Sequence, residues 1–318
     1  MAPWAIIVVA VLAAFVIFLA APALLIFFAV FYRKKAIPFE QYDLEKFKGH
    51  YYIPYLGRIA AARGALQAYD HAEVETISRD GLTLRGDWYD RGSRRTAVLF
   101  HGIGAEMYTN LSAQALFLTR CGFNVLLTCN RAHGKSEGRF TTIGLRERED
   151  VVSWVQWAEE HGADEILLYG VSMGASMVAY ASDRLKNTAV KAMVIDSGFY
   201  SVYEQMKRDA HKNHIPGIMV PAQWLLAKLF LRVDLKEATA DTLRRAETPA
   251  FFLHGTADET VECRWCQINY EACAAPKELL LAEDAPHTLS ILRDPETVEK
   301  RLKSFFAQYF TNAKEGKS

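Results

Sequence analysis

A chain of 318 residues can form one or two domains, and its 37 basic and 37 acidic residues balance, which argues against nucleic acid as a partner. The five cysteines are an odd number at irregular spacing, unlike the disulfide framework of a small secreted protein. A reducing compartment is therefore the simpler expectation.

The N-terminus is the most apolar part of the chain, because residues 2–32 carry no charged side chain. A membrane-spanning helix needs about 20 apolar residues, so this run is long enough, and Pro22 is a place for a kink. A buried core helix and a signal peptide are the alternatives. A signal peptide needs a positively charged start, which is missing, although Ala21-Pro22-Ala23 resembles a cleavage site. We expect residues 1–35 to form a retained anchor with a basic flank.

Basic residues follow this apolar run directly as Arg33-Lys34-Lys35, and none precedes it. The positive-inside bias predicts a single-pass protein with the remainder of the chain in the cytoplasm. Residues 36–70 are interrupted by prolines and glycine and are expected to form a membrane-proximal connector. A short helix is predicted within it, over about 58–69.

Residues 71–318 alternate between apolar runs and helical patterns. The predicted strands cover residues 73–77, 82–88, 96–100, 123–127, 165–169, 192–195, 249–253 and 277–281. The predicted helices cover about 106–120, 145–160, 173–186 and 289–310. Asp80-Gly81 is a hairpin-turn signal between the first two strands. This order predicts an α/β fold with an eight-stranded, mostly parallel sheet and helices on both faces.

One segment, residues 199–247, interrupts this alternation with helical patterns and no strand. An insertion of this length is predicted to form a small helical cap. Its apolar residues either line an acyl pocket or pack the cap onto the body, and the sequence leaves both roles open. They are Ile218, Met219, Val220, Trp224, Leu225, Leu226, Leu229 and Phe230.

The sequence Gly170-Val171-Ser172-Met173-Gly174 lies between an apolar strand and a helical run of small residues. In this context G-x-S-x-G is typical of a nucleophile elbow, a sharp turn that lifts the serine hydroxyl above the sheet. The flanking glycines allow the strand and the helix to approach closely. Ser172 is therefore the predicted nucleophile.

A serine nucleophile needs a histidine to accept its proton and an acid to orient that histidine. In this arrangement both follow the serine, on loops at the carboxyl ends of parallel strands. Asp258 follows strand 249–253, and His287 follows strand 277–281. Asp196, at the end of the preceding strand, is the rival acid, and a helix-capping role is the alternative for Asp258.

Acyl transfer also needs backbone N–H groups directed at the developing oxyanion. The N–H of Met173, at the start of the elbow helix, is one predicted donor. The second is expected in the loop after strand 96–100, where Gly102 and Gly104 allow close approach. We assign it to Ile103.

From about Glu73 to Gln308 the chain resembles the α/β-hydrolase fold superfamily, and most closely its serine aminopeptidase-like and acylglycerol lipase-like branch. Four blocks match in order: the His-Gly loop at 101–104, the R-A-H-G-K-S-E-G block at 131–138, the elbow, and the acid and histidine loops. Ala132 stands where the branch usually has glycine. The resemblance implies hydrolysis through an acyl-enzyme and a structural role for the second block. It is specific for the fold and the triad, and not for the substrate.

These features predict a membrane-anchored serine hydrolase that cleaves a lipid-like or otherwise hydrophobic carboxylic ester and is held at the membrane by residues 2–32. A serine peptidase or amidase with the same triad is the alternative. A non-catalytic binding protein on this fold is a third hypothesis, which the undamaged triad disfavours. The mechanism needs no metal and no organic cofactor. Cys263-Arg264-Trp265-Cys266 has no second cysteine pair and is interpreted as part of a packed helix face.

Overall fold

The computed structural model describes residues 3–32 and 51–311. The predicted basic flank at Arg33-Lys34-Lys35 and the first half of the predicted connector lie outside these ranges. In the N-terminal helix, side chains are described at positions 3–5, 7–8 and 20–31. Among residues described to this extent, none of the helices is both long and apolar enough to cross a membrane.

A single sheet organises the molecule. Its strands are β1 (Ala72–Ile77), β2 (Thr83–Tyr89), β3 (Arg95–Phe100), β4 (Asn124–Cys129), β5 (Glu165–Val171), β6 (Val190–Asp196), β7 (Ala250–Gly255) and β8 (Lys277–Ala282). They lie in the order β1-β2-β4-β3-β5-β6-β7-β8. The β1–β2 and β2–β4 pairs are antiparallel, and every other pair is parallel. The predicted eight-stranded, mostly parallel sheet is confirmed.

Helices cover both faces of this sheet, and others form the cap. The described helices are α1 (Pro3–Phe31), α2 (Leu56–Gln67), α3 (Met107–Arg120), α4 (Glu147–Glu160), α5 (Met173–Ala181), α6 (Val202–Lys212), α7 (Met219–Leu226), α8 (Thr239–Leu243), α9 (Cys263–Ala272), α10 (Ser290–Arg293) and α11 (Pro295–Tyr309). A π-helical turn, Ala227–Leu231, extends α7.

The side chains of β3 show why its sequence is apolar without alternation. Val98 and Phe100 belong to the hydrophobic core under α4 and α5, while Ala97 and Leu99 belong to a second core under α3 and α11. Successive side chains of a strand point to opposite faces, so a strand covered on both sides must be apolar throughout. A continuous apolar run such as Ala97-Val98-Leu99-Phe100 is therefore typical of a central strand.

The predicted closing helix at 289–310 is two helices, α10 and α11. The Asp294 carboxylate accepts a hydrogen bond from the backbone N–H of Thr297 at 3.1 Å, and Pro295 occupies the first helical position. An N-cap followed by proline begins a new helix, because proline has no N–H to continue the preceding one. The helical pattern alone does not show this break.

The described part of the predicted connector packs on the body. Helix α2 lies against α3, and Ile59 and Leu66 are buried there. The Arg58 guanidinium donates to the backbone carbonyl of Leu292 at 2.5 Å, which ties α2 to α10. This segment therefore reaches the part of the fold that follows β8.

The cap consists of α6, α7, the π-helical turn and α8, and the described residues between β6 and β7 contain no strand. The C-terminal half of α1 lies on this cap. The side-chain amide of Gln223 donates to the carbonyl of Ala23 at 2.8 Å, and the rings of Phe27 and Phe230 are 6.0 Å apart. The sequence did not predict this contact between the N-terminal helix and the cap.

Candidate active site

The elbow at Ser172 depends on two glycines. Ser172 has a φ of 55° between the end of β5 and the start of α5, a conformation that few side chains adopt. A Cβ on Gly170 would lie 2.2 Å from the carbonyl oxygen of Gly174, and a Cβ on Gly174 would lie 2.0 Å from the carbonyl oxygen of Phe100. Only hydrogen fits at either place, so both glycines are needed for strand and helix to meet.

The three residues predicted as a triad form one hydrogen-bonded chain. The Nε2 atom of His287 lies 2.9 Å from Ser172 Oγ, and its Nδ1 atom lies 2.6 Å from Asp258 Oδ2. Because Nδ1 faces a carboxylate, it carries the proton, and Nε2 is free to accept one from the serine. Ser172 and His287 are only 8% and 6% exposed. This is the geometry of a nucleophile beside an oriented base.

Asp258 is held by four N–H groups. Its Oδ1 accepts from the backbone N–H groups of Thr260 and Val261, both at 2.8 Å. Its Oδ2 faces His287 and also Nε2 of His254, at 3.0 Å. Burial opposes ionisation, but the hydrogen bonds from His254 and His287 outweigh it and hold the pKa of Asp258 well below its usual value. The carboxylate is therefore charged when it orients His287.

His254 is a site residue that sequence reasoning missed. Its Nε2 faces two oxygens, Asp258 Oδ2 and the carbonyl of Val261 at 3.1 Å, so Nε2 carries the proton. The side chain is buried at the end of β7. Its position in a strand-end turn was the available signal, but its contact with Asp258 depends on the fold of the following loop.

Asp196, the rival acid, does not contact His287. Its carboxylate accepts hydrogen bonds from Ser197 Oγ at 2.9 Å and from the Tyr169 hydroxyl at 3.3 Å. Burial raises the pKa of Asp196 to about 7. Its link to the elbow is through the backbone, since its carbonyl accepts from the N–H of Ser172 at 2.8 Å. Of the two candidate acids, Asp258 is therefore the one that contacts His287.

The loop after β3 lies directly against the nucleophile. A Cβ on Gly102 would be 3.2 Å from Ser172 Cβ, so a side chain there would crowd the serine. The N–H of Gly102 donates to Asn110 Oδ1 at 2.7 Å, and the N–H of Gly104 donates to His133 Nε2 at 2.9 Å. Ile103 lies between these two hydrogen-bonded glycines, and Ile103 and Met173 both line the cavity that contains Ser172.

Two neutral histidines support this loop. His133 donates from Nδ1 to the carbonyl of Arg131 at 2.8 Å, which leaves Nε2 as the acceptor just described. His101 donates from Nδ1 to the carbonyl of Gly102 at 2.7 Å and accepts from the N–H of Asn130 at 3.1 Å. Burial lowers the pKa of His101 to about 3. The 131–138 block therefore positions the loop that faces the nucleophile.

A cavity of about 290 Å³ extends from Ser172 between the body and the cap. Its walls are mostly apolar: Ile26, Val30, Phe199, Val202, Met206, Met219, Val220 and Val261. Of the apolar cap residues whose role the sequence left open, Met219 and Val220 line the cavity and Trp224 and Leu226 pack on the core. The remaining four are exposed: Ile218, Leu225, Leu229 and Phe230.

The residues before α2 also approach the site. The hydroxyl groups of Tyr52 and Thr288 are 2.5 Å apart, and Asn110 Nδ2 donates to the Tyr52 hydroxyl at 3.3 Å. Burial raises the pKa of Tyr52 above its usual value. Tyr52 therefore links the loop that carries His287 to α3, and no sequence motif indicated this.

The cysteines do not form a metal site. Cys266 and Cys273 are buried against the core beside β7, and all five cysteines are free thiols. Within residues 3–32 and 51–311, no group of three or more His, Cys, Asp or Glu side chains is arranged to hold a metal ion. Burial raises the pKa of Cys266, which disfavours the thiolate.

Known proteins resemble this chain in sequence or in fold. A family model described as serine aminopeptidase, S33, matches residues 92–246. The esterase Pf2001 of Pyrococcus furiosus superposes with a TM-score of 0.65 at 26% identity, over 78% of this chain and 94% of that one. The uncharacterized protein YqkD of Bacillus subtilis is 28% identical over 217 residues, which is 66% of this chain and 70% of YqkD.

A yeast relative, the uncharacterized membrane protein YNL320W of Saccharomyces cerevisiae, is 23% identical over 230 residues, or 70% of this chain and 76% of that protein. The chain has the α/β-hydrolase fold. The family match and the esterase likeness support the α/β-hydrolase superfamily and a hydrolase of esterase-like type.

Proposed function

We propose that this protein is a serine hydrolase that cleaves hydrophobic acyl esters through an acyl-enzyme at Ser172. The observation that carries the proposal is the chain from Ser172 through His287 to Asp258, at 2.9 and 2.6 Å, at the base of an apolar cavity. A nucleophile with its oriented base, placed beside an apolar cavity, is the arrangement that suits acyl transfer from a hydrophobic ester.

In the first step His287 Nε2 takes the proton of Ser172 as Oγ attacks the ester carbonyl, whose π electrons move to oxygen. The N–H groups of Ile103 and Met173 stabilise that oxyanion. The oxyanion then collapses, the ester C–O bond breaks, and His287 gives its proton to the departing oxygen, which leaves as the alcohol. Water attacks the acyl-enzyme by the same route and releases the acid. Asp258 holds His287 in the Nδ1–H tautomer throughout.

A peptidase is the second candidate, favoured by the S33 family match and by Asp209, which lines the cavity. A carboxylate there could bind the amino terminus of a peptide. However, Asp209 already accepts from Gln205 Nε2 at 2.9 Å and faces Arg208 Nη1 at 3.4 Å. Its charge is therefore partly neutralised within the cap, which together with the apolar walls favours an acyl ester.

Membrane anchorage through residues 2–32, with the hydrolase in the cytoplasm, is part of the proposal. It is supported by the absence of charge across that run and by Arg33-Lys34-Lys35 after it. The yeast relative is named a membrane protein. Protease treatment of intact cells tests the orientation: digestion of the hydrolase from outside would refute the cytoplasmic location.

The exposed surface beside α1 supports the same proposal. Leu25 and Phe28 of α1 are 73% and 51% exposed, and Leu229 and Phe230 of the cap are 64% and 65% exposed. The ammonium group of Lys236 lies 4.0 Å from the ring centroid of Trp224, on the helix that leads into Leu229 and Phe230. Apolar side chains bordered by Trp and Lys are typical of the membrane interface.

Labelling with a fluorophosphonate probe tests the nucleophile. We expect the wild type to react and Ser172→Ala to be unlabelled, whereas Ser304→Ala, at an exposed serine of α11, should label as the wild type does. Equal labelling of wild type and Ser172→Ala would refute the assignment. Acyl esters of graded chain length, assayed beside aminoacyl amides, then separate esterase from peptidase.

A further inference from the structure

The cavity that begins at Ser172 is closed on one side by α1. Ile26 and Val30 line it, and the spacing of four residues puts them on one face of the helix. Leu25 and Phe28 point elsewhere and are exposed. The same helix thus presents one face to the cavity and another to its surroundings.

Helix α1 is held in this position by a polar contact and by core packing. The hydrogen bond from Gln223 to the Ala23 carbonyl is buried, which makes it costly to break. Phe27 and Phe31 are buried in the core that includes cap residues. The carbonyl of Phe31 accepts from the N–H of Thr141 at 2.9 Å, which fixes the end of the helix to the body.

We propose that α1 is a wall of the acyl-binding site, so that Ile26 and Val30 determine the length of the acyl chain that Ser172 can process. This inference rests on the proposed function. The N-terminal apolar segment therefore serves the active site directly, in addition to any role as an anchor. An acyl chain that extends from the serine along Phe199 and Met219 shares this cavity with Ile26 and Val30 of α1.

The physical reason is the apolar contact that each methylene gains. Burial of one methylene is expected to raise kcat/KM by about fourfold while the chain still fits. A larger side chain at position 30 shortens the cavity and removes this gain for long chains. A smaller one extends it.

The test uses the full chain in detergent or vesicles, with esters from short to long acyl length. We expect Val30→Trp to lower the ratio of long-chain to short-chain kcat/KM by about tenfold or more, which is the loss of roughly two methylenes of contact. Val30→Ala is expected to move the preferred chain length upwards. Leu25→Trp, on the exposed face of the same helix, is the control and should keep the wild-type profile.

Alkyl fluorophosphonates of graded length give a second readout, since their rate of reaction with Ser172 reports the cavity without turnover. If neither Val30→Trp nor Val30→Ala changes the chain-length profile of labelling, the inference is overturned. Failure of the proposed function looks different. If the proposed function is wrong, the wild type and the variants at position 30 all show no acyl-ester hydrolysis that depends on Ser172.

Discussion

Replacing Asp258 by asparagine tests how the site orients its histidine. The carboxylate accepts two backbone N–H groups at Oδ1 and faces two imidazole nitrogens at Oδ2. Asparagine has one acceptor and one donor. The backbone N–H groups of Thr260 and Val261 cannot rotate, so they retain the amide oxygen, and the amide NH₂ must face His254 and His287.

His287 must then accept from that NH₂ through Nδ1 and carry its proton on Nε2. In this tautomer Nε2–H points at Ser172 Oγ and cannot accept the serine proton. Loss of the correct tautomer in a serine triad costs about 10⁴-fold in kcat, or about 5.4 kcal/mol of activation free energy. We expect a loss of this size for Asp258→Asn, with little change in KM.

The assay is kcat and KM on a soluble acyl ester, together with the rate of fluorophosphonate labelling. Asp284→Asn is the matched control, because Asp284 is an exposed carboxylate on the loop that carries His287. Its φ of 52° also suits asparagine. A kcat within tenfold of the wild type for Asp258→Asn, in a protein of unchanged melting temperature, would refute the proposed role of Asp258.

Three further predictions concern the supports of the site. Gly174→Ala places a Cβ 2.0 Å from the Phe100 carbonyl oxygen, so we expect thermal denaturation to show a loss of about 3 kcal/mol or more in the free energy of unfolding. The control is Gly57→Ala, where the added Cβ meets open space, and it should be neutral or stabilising. His101 has a pKa of about 3 when folded and about 6.5 when unfolded, so the unfolded chain binds the extra proton between these values. Acidification through that window should therefore cost up to about 1.4 kcal/mol per pH unit in wild type and less in His101→Gln, measured by chemical denaturation at pH 7 and pH 5; equal losses would contradict it. His133→Ala leaves the N–H of Gly104 without its acceptor, and steady-state kinetics should show kcat reduced about tenfold, while an unchanged kcat would argue that the loop needs no such support.

Local patterns were enough to predict the sheet and the order of the site residues. The strands at the centre of the sheet are apolar because both of their faces are covered, so each is visible from its own residues. The elbow can be recognised in the sequence because the turn at Ser172 has no room for a side chain at Gly170 or Gly174. Chain order then predicted Asp258 and His287, since parallel strands bring their carboxyl ends to one edge.

Contacts that no sequence pattern marks were decided only by the tertiary structure. His254 meets Asp258 through the turn that follows β7, and Tyr52 meets Thr288 across 236 residues of sequence. The sequence of the cap did not show which of its apolar residues are exposed and which are buried, because hydrophobicity does not reveal which face of a short helix contacts the body.

The N-terminal helix shows most clearly the difference between what the sequence determines and what only the tertiary structure decides. By itself the sequence determined that residues 2–32 are apolar and uncharged, which predicts burial in some non-aqueous environment. Ile26 and Val30 line the cavity at Ser172 in a helix that is held by a hydrogen bond from Gln223 to the carbonyl of Ala23, 200 residues earlier in the chain. Helical periodicity reveals which residues share a face, and only packing reveals what that face meets.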